Sequence, residues 1–90
     1  MSQFAVSVHI LPRQGLLDPQ GVAVAGALRT LGFAGVSEAR LGRYIMIELS
    51  ATDESAARRI IGSMCERLLA NPVTEDFEIA TVRELAEAPR

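Results

Sequence analysis

The sequence contains no lysine, so its nine basic residues are all arginine. A lysine-free chain cannot form a Schiff base with a carbonyl substrate or supply a phosphate-loop lysine, and no GxxxxGK[ST] string occurs. Cys65 is the only cysteine, which excludes an internal disulfide and a cysteine-cluster zinc site and suits a reducing compartment. Tryptophan is absent, and three Phe and one Tyr are the only aromatic side chains. No unbroken apolar run approaches the ~18 residues of a membrane span. Residues 1 to 5 show no basic segment leading into a long apolar one, so no signal peptide is expected. These absences predict a cytoplasmic protein without a membrane partner. The net charge of -2 gives no basic excess for counterion release, so no nucleic-acid partner is expected either.

What is present is a 90-residue chain of which 49% is hydrophobic. That excludes a disordered chain and fits one small domain, near the lower size limit for a self-sufficient core. Phe4, Val6, Val8 and Ile10 alternate with Ala5, Ser7, His9 and Leu11, the period-2 pattern of a strand. From Asp18 a helical pattern runs to Leu31, with Val24, Leu28 and Leu31 on one stripe, and Gly32 stops it. Residues 36 to 41 and 44 to 50 read as two strands joined at Gly42-Arg43, a hairpin whose glycine supplies a positive φ. Thr52 or Asp53 caps a second helix with Ala57, Ile60, Ile61, Met64 and Leu68 as its buried stripe. Asn71-Pro72 ends it, with Asn71 in the left-handed region. Phe77, Ile79 and Thr81 share one face of a last strand. Residues 1–83 thus form a single domain, and residues 84–90 a frayed tail.

The order βαββαβ predicts an α+β, ferredoxin-like fold: a four-stranded antiparallel sheet with two helices on one face. The opposite face would carry Ser7, His9, Leu11, Tyr44 and Met46, with Ala80 and Val82 from the last strand. A half-apolar open face predicts self-association through it.

No catalytic constellation emerges. His9 points to the open face and Cys65 lies on a helix covering the other, so the two should not meet as base and nucleophile. Cys65 reads as a packing residue. One histidine and one cysteine without a carboxylate at ligand spacing make no metal site. Glu75, Asp76 and Glu78 read as solvated charges at a strand entry, and Arg40 and Arg43 as a solvated tip or an anion clamp. RNA-binding modules share the element order, but Tyr44 is the only aromatic expected on the open face.

Three strings carry a family resemblance: GLLDPQG (15 to 21), ARLGRY (39 to 44) and MCERLLANPVTEDF (64 to 77). The chain resembles the PurS subunit family of phosphoribosylformylglycinamidine synthase, with its LDPQG, R(I/L)GK and MCxKLLANPVIExY patterns. It departs at Arg43 and Arg67, where the family often has lysine, at Thr74 for isoleucine and at Phe77 for tyrosine. The resemblance implies a non-catalytic subunit of a ligase that converts formylglycinamide ribonucleotide, ATP and glutamine to the formylglycinamidine in purine synthesis. It implies a PurQ-type glutaminase and a PurL-type synthetase as partners, ATP and Mg used only by the synthetase, and a homodimer or homotetramer. The strings then mark candidate partner contacts: Asp18, Pro19, Gln20 and Gly21 in the first; Arg40, Gly42, Arg43 and Tyr44 in the second; Asn71 and Pro72 in the third. Gly21 reads as clearance for a partner chain at a helix N-terminus. A rival function is a small-molecule-binding regulatory α+β dimer, which predicts ligand pockets at the dimer interface.

Overall fold

The computed structural model describes residues 1–15 and 18–85. Strand β1 (Ser2–Pro12) leads to helix α1 (Pro19–Thr30), strand β2 (Arg43–Ala51), helix α2 (Glu54–Met64), a π-helical turn (Cys65–Leu69) and strand β3 (Glu75–Glu84). Among the described residues the sheet has three strands in the order β2-β1-β3, both pairings antiparallel. Its central strand, β1, is the most buried element. Phe4, Val6, Val8 and Ile10 are buried and meet Ala56, Ala57, Ile61 and Cys65 of the α2 layer. Ile45, Ile47 and Leu49 of β2 flank this cluster, while Tyr44, Met46 and Glu48 face outward, as their alternation predicts.

Both helices start where a local signal says they should. Asp18 accepts from Gly21 N ahead of Pro19 at the first helical position, and Asp53 accepts from Ala56 N. Of the two caps offered for α2, Asp53 is the one used. Gly32, at φ 105°, closes the turn after α1.

The expected four-stranded sheet is not formed. Residues 36–41 run as an irregular segment that turns to α1 instead of pairing with β2. Its backbone is already engaged: Leu41 N donates to Asp18 Oδ2 at 3.0 Å, and Val36 N to Phe33 O at 3.2 Å. A donor held by the N-cap carboxylate cannot serve a strand ladder. The Gly42-Arg43 hairpin is absent for the same reason. Gly42 has no positive φ; it lies against the Ile10 carbonyl, where a Cβ would collide.

Nor do two helices cover one sheet face. α2 does, but α1 contributes no residue to the core cluster and makes no extended interface with another element. Only Gly21 and Ala25 of α1 are buried. The expected stripe is open: Val24 is 38% and Leu31 74% exposed. The molecule is accordingly long, 52 × 28 × 18 Å with a radius of gyration of 17.0 Å. A compact domain of this length has roughly 12 Å. α1 and the returning segment form an arm.

Two local irregularities shift the remaining expectations. A β-bulge in β3 leaves Ala80 unpaired, so Ile79 opposes Val8 while Thr81 opposes Ser7 and Val82 opposes Val6. Val82 therefore joins the core and Thr81 the open face, the reverse of the sequence reading. The π-turn rotates the end of the second helix, so that Leu68, expected in the buried stripe, is 81% exposed. Asn71 does not adopt a positive φ; its side chain accepts from Val73 N at 2.9 Å. Of the expected tail, Glu84 belongs to β3 and Leu85 N donates to Gln3 O, while residues 86–90 lie outside the described residues.

Candidate functional site

The three strings, far apart in sequence, meet at one end of the sheet. There β1 finishes while β2 and β3 begin: Ile10 opposes Arg43 and Phe77, and Pro12 opposes Glu75. Two arginines knit this end together. Arg43 donates through Nη2 to Glu75 Oε1 at 2.6 Å and to the Leu69 carbonyl at 2.9 Å. Glu75 Oε1 also accepts from Asn71 N at 2.8 Å, so one carboxylate oxygen holds the helix exit and the β2 entry at once. Arg13 donates to the Pro72 carbonyl at 2.9 Å and to Asp76 Oδ1 at 3.2 Å, with longer bonds to the Val73 and Glu75 carbonyls. Glu75 and Asp76 are thus paired, not the solvated charges expected of them.

Arg40 donates to the Pro12 carbonyl and ties the arm to the end of β1. Neither Arg40 nor Arg43 is an unoccupied anion clamp. Asp18 completes the tie, its two oxygens accepting from Gly21 N and Leu41 N. These hydrogen bonds to Gly21 and then Leu41, with the nearby Arg40 charge, hold its carboxyl below the ordinary aspartate value.

Gly21 is buried, and the group that needs its missing side chain belongs to its own chain. A Cβ there would run into the Ala39 carbonyl oxygen. The clearance read as room for a partner is filled by the returning segment of the arm. Pro19, Gln20, Asn71 and Pro72 are exposed, as are Arg43 and Tyr44. Leu16 and Leu17, inside the first string, lie outside the described residues.

On the open face, His9, Leu11, Tyr44 and Met46 are exposed, and the His9 and Tyr44 rings lie 5.2 Å apart, tilted by 52°. Ser7 is not available there. It is 1% exposed, opposed by Met46 and Thr81, and its hydroxyl hydrogen-bonds that of Thr81 at 2.5 Å. Cys65 is fully buried on the other side of the sheet, where burial, with Glu66 beside it, pushes its thiol up. The histidine and cysteine stay apart. Among the described residues no group of three His, Cys, Asp or Glu side chains is placed to hold a metal ion, and no helix is long and apolar enough to cross a membrane.

Arg13 is the residue knitting this end of the sheet that the sequence reading missed. It follows β1 in no recognised motif, and only the β1–β3 pairing brings it to residues 72–76. The family model for PurS, described as phosphoribosylformylglycinamidine (FGAM) synthase, matches residues 5–83. The chain belongs to the PurS family. It is 43% identical to the synthase subunit PurS of Synechocystis over 70 residues, 78% of this chain and 70% of that one. To the Bacillus subtilis PurS subunit it is 32% identical over 84 residues, 93% and 99% of the two chains. The solved Thermus thermophilus PurS superimposes with a TM-score of 0.82 at 36% identity, covering 93% of this chain and 99% of that one. A PurS-like chain in the structure of PurLQS from Thermotoga maritima gives 0.80 at 35% identity, with 94% and 100% coverage. The match spans nearly all of each chain for the Bacillus subtilis subunit and the two solved structures, and about three quarters for the Synechocystis subunit.

Proposed function

We propose that the chain is the small subunit of phosphoribosylformylglycinamidine synthase, joining a glutaminase and a synthetase without contributing a catalytic group. The observation that carries this reading is the match along almost the whole chain to a PurS chain of PurLQS. The sheet end described above supplies a physical basis, because it is a rigid surface built from backbone ties and arginine bridges with no nucleophile in it. ATP and magnesium are handled by the synthetase, and the assembly is cytoplasmic.

The chemistry explains why such a subunit is needed. Ammonia released from glutamine is mostly protonated near neutral pH and diffuses away, so the nucleophile must pass between active sites within one assembly. A spacer that fixes the distance between the two enzymes achieves this by position alone. The exposed Pro19, Gln20, Arg43, Tyr44, Asn71 and Pro72 form its docking end. Asp18, Gly21, Arg40 and Gly42 shape that end from within.

Self-association uses the outward apolar surfaces. His9, Leu11, Tyr44 and Met46 on the open sheet face form one. Val22, Val24, Leu31 and Phe33 of the arm, between 38% and 74% exposed, form a second. A 12-residue helix with two glycines and no core contacts is marginal alone, so α1 gains its stability from a second copy.

Reconstitution tests the reading. Glutamine-dependent turnover by the glutaminase and synthetase should require this chain, whereas turnover with ammonium chloride should not. Full glutamine-dependent turnover in its absence would refute the subunit role. The regulatory-dimer alternative predicts instead a thermal shift with a small ligand such as an amino acid.

A further inference from the structure

Residues 39–42 are engaged one after another, and on two sides. Toward α1, the Ala39 carbonyl fills the space left by the missing side chain of Gly21, and Leu41 N donates to Asp18 Oδ2 at 3.0 Å. Toward the sheet, Arg40 donates to the Pro12 carbonyl and Gly42 lies against that of Ile10. Positions 39 and 41 serve one neighbour and positions 40 and 42 the other, the alternation of an extended chain. The segment is thus a splint between the first turn of α1 and the end of β1. It fixes the direction in which α1 leaves the sheet.

That direction is away from a groove that α1 would suit. Ile60, Ser63, Met64, Arg67, Leu68 and Leu69, on the flank of α2 and the π-turn, line a groove of about 450 Å³ in which Arg67 is the only charge. The order βαββαβ with both helices on one sheet face would place α1 beside α2. Instead α1 makes no extended interface with α2, and Leu68 is 81% exposed. The flank from Ile60 to Leu69 runs about 15 Å and the 12-residue α1 about 18 Å, so the two match in length. They match in chemistry as well, because α1 has Arg29 as its only charge and exposes Val22 and Val24.

An apolar helix and an apolar groove of its length thus lie on one chain and are held apart. A second copy offers each the surface it lacks, and the exchange closes on itself, since each copy gives one helix and receives one. Arg29 and Arg67 are both exposed, so solvent screens one from the other. We infer that residues 39–42 splint α1 away from its own α2 so that it seats in the α2 groove of a second copy, with Arg40 and Gly42 as positioning residues. The inference rests on the self-association proposed above and adds the receiving surface and the device that directs α1 to it.

The test refolds together two forms of the whole chain. One carries a nitroxide on Thr30→Cys, an exposed position at the end of α1, while the buried Cys65 stays out of the label's reach. The other is isotope-labelled and carries no nitroxide, so broadening of its signals reports only contacts between copies. The amides of residues 60–69 should broaden. Broadening confined to residues 9, 44 and 46, or none in an oligomeric sample, overturns the inference while self-association stands. Leu68→Asp and Arg40→Gln should each raise the concentration of half-dissociation about tenfold or more, and Arg40→Lys, which keeps a donor for the Pro12 carbonyl, should recover most of the loss. The Arg40→Gln monomer, its arm free to close, should scatter X-rays with a radius of gyration nearer ~12 Å than the 17.0 Å of the open chain. Wild-type half-dissociation by either variant overturns the inference; if Leu68→Asp then also weakens glutamine-dependent turnover, the groove belongs to an enzyme of the synthase. A wild-type chain that is monomeric at micromolar concentration overturns the self-association as well.

Discussion

The two helices are nearly equal in length and differ in what they need. α2 carries Glu54, Arg58 and Arg59 outward and buries Ala56, Ala57 and Ile61 on β1, so its own chain satisfies it. α1 has one charged residue, Arg29, and buries little beyond Gly21 and Ala25 against its own returning segment. The first is an amphipathic helix completing a core; the second is an apolar helix held at its root. A helix can be fully specified at its ends yet leave its flank to another molecule. Caps are local, but the surface that covers a helix is not.

Four measurements set these helices against each other. The largest effect belongs to α2: Ile61→Ala removes a fully buried side chain from beneath it and should cost about 2–5 kcal/mol in chemical denaturation. Gly21→Ala at the root of α1 comes next. Helix propensity alone favours alanine by ~1 kcal/mol, but the collision with the Ala39 carbonyl should cost about 1–3 kcal/mol, so the net change is small or destabilising. A clear gain in stability would show that the arm does not close on Gly21. On the flank of α1, Val24→Asp should leave the denaturation midpoint of the isolated fold within roughly 0.5 kcal/mol while lowering the oligomer mass seen by light scattering. An unchanged mass would make the arm a free appendage.

The smallest effect concerns the tie at Asp18. Its carboxyl lies below the ordinary aspartate value in the folded chain, so it contributes stability above the unfolded value that is lost as pH falls through the folded one. Asp18→Asn should therefore be less stable than wild type at neutral pH, and the gap should close in acid, below the ordinary aspartate range. A gap independent of pH would show that ionisation of Asp18 contributes nothing to the tie.

Much of the fold could be read without coordinates wherever the cause was local. The alternation of Phe4, Val6, Val8 and Ile10 placed β1 with its core face correct, as Ile45, Ile47 and Leu49 did for β2. Asp18-Pro19 and Asp53 marked both helix starts, and Gly32 marked the end of α1. The misses arose where a distant group decided. The bulge at Ala80 shifts the register of β3 against β1 and so exchanges Thr81 and Val82 between the faces. Leu68 fits an α-helical stripe and is turned outward only because Ala70 N reaches back to the Cys65 carbonyl, a five-residue step with no evident composition signal. Residues 36–41 have acceptable strand composition; their engagement with Asp18 and Gly21 depends on where the arm returns.

The candidate site divides along the same line. Asp18, Gly21, Arg40, Gly42, Arg43, Asn71 and Pro72 were found through the strings that contain them, but not the reason each is there. Gly21 and Gly42 accommodate carbonyls from residues 39 and 10, and Arg43 bridges to Leu69 and Glu75. Arg13 had no string to reveal it. By itself the sequence determined the class of fold, the family and the two helix starts, because periodicity, capping and motif spacing act over a few residues. The tertiary structure decided that three distant strings come together at one end of the sheet and that α1 lies apart from the core. Those outcomes depend on which backbone donors and carbonyls come within hydrogen-bonding reach, a property of the folded chain as a whole.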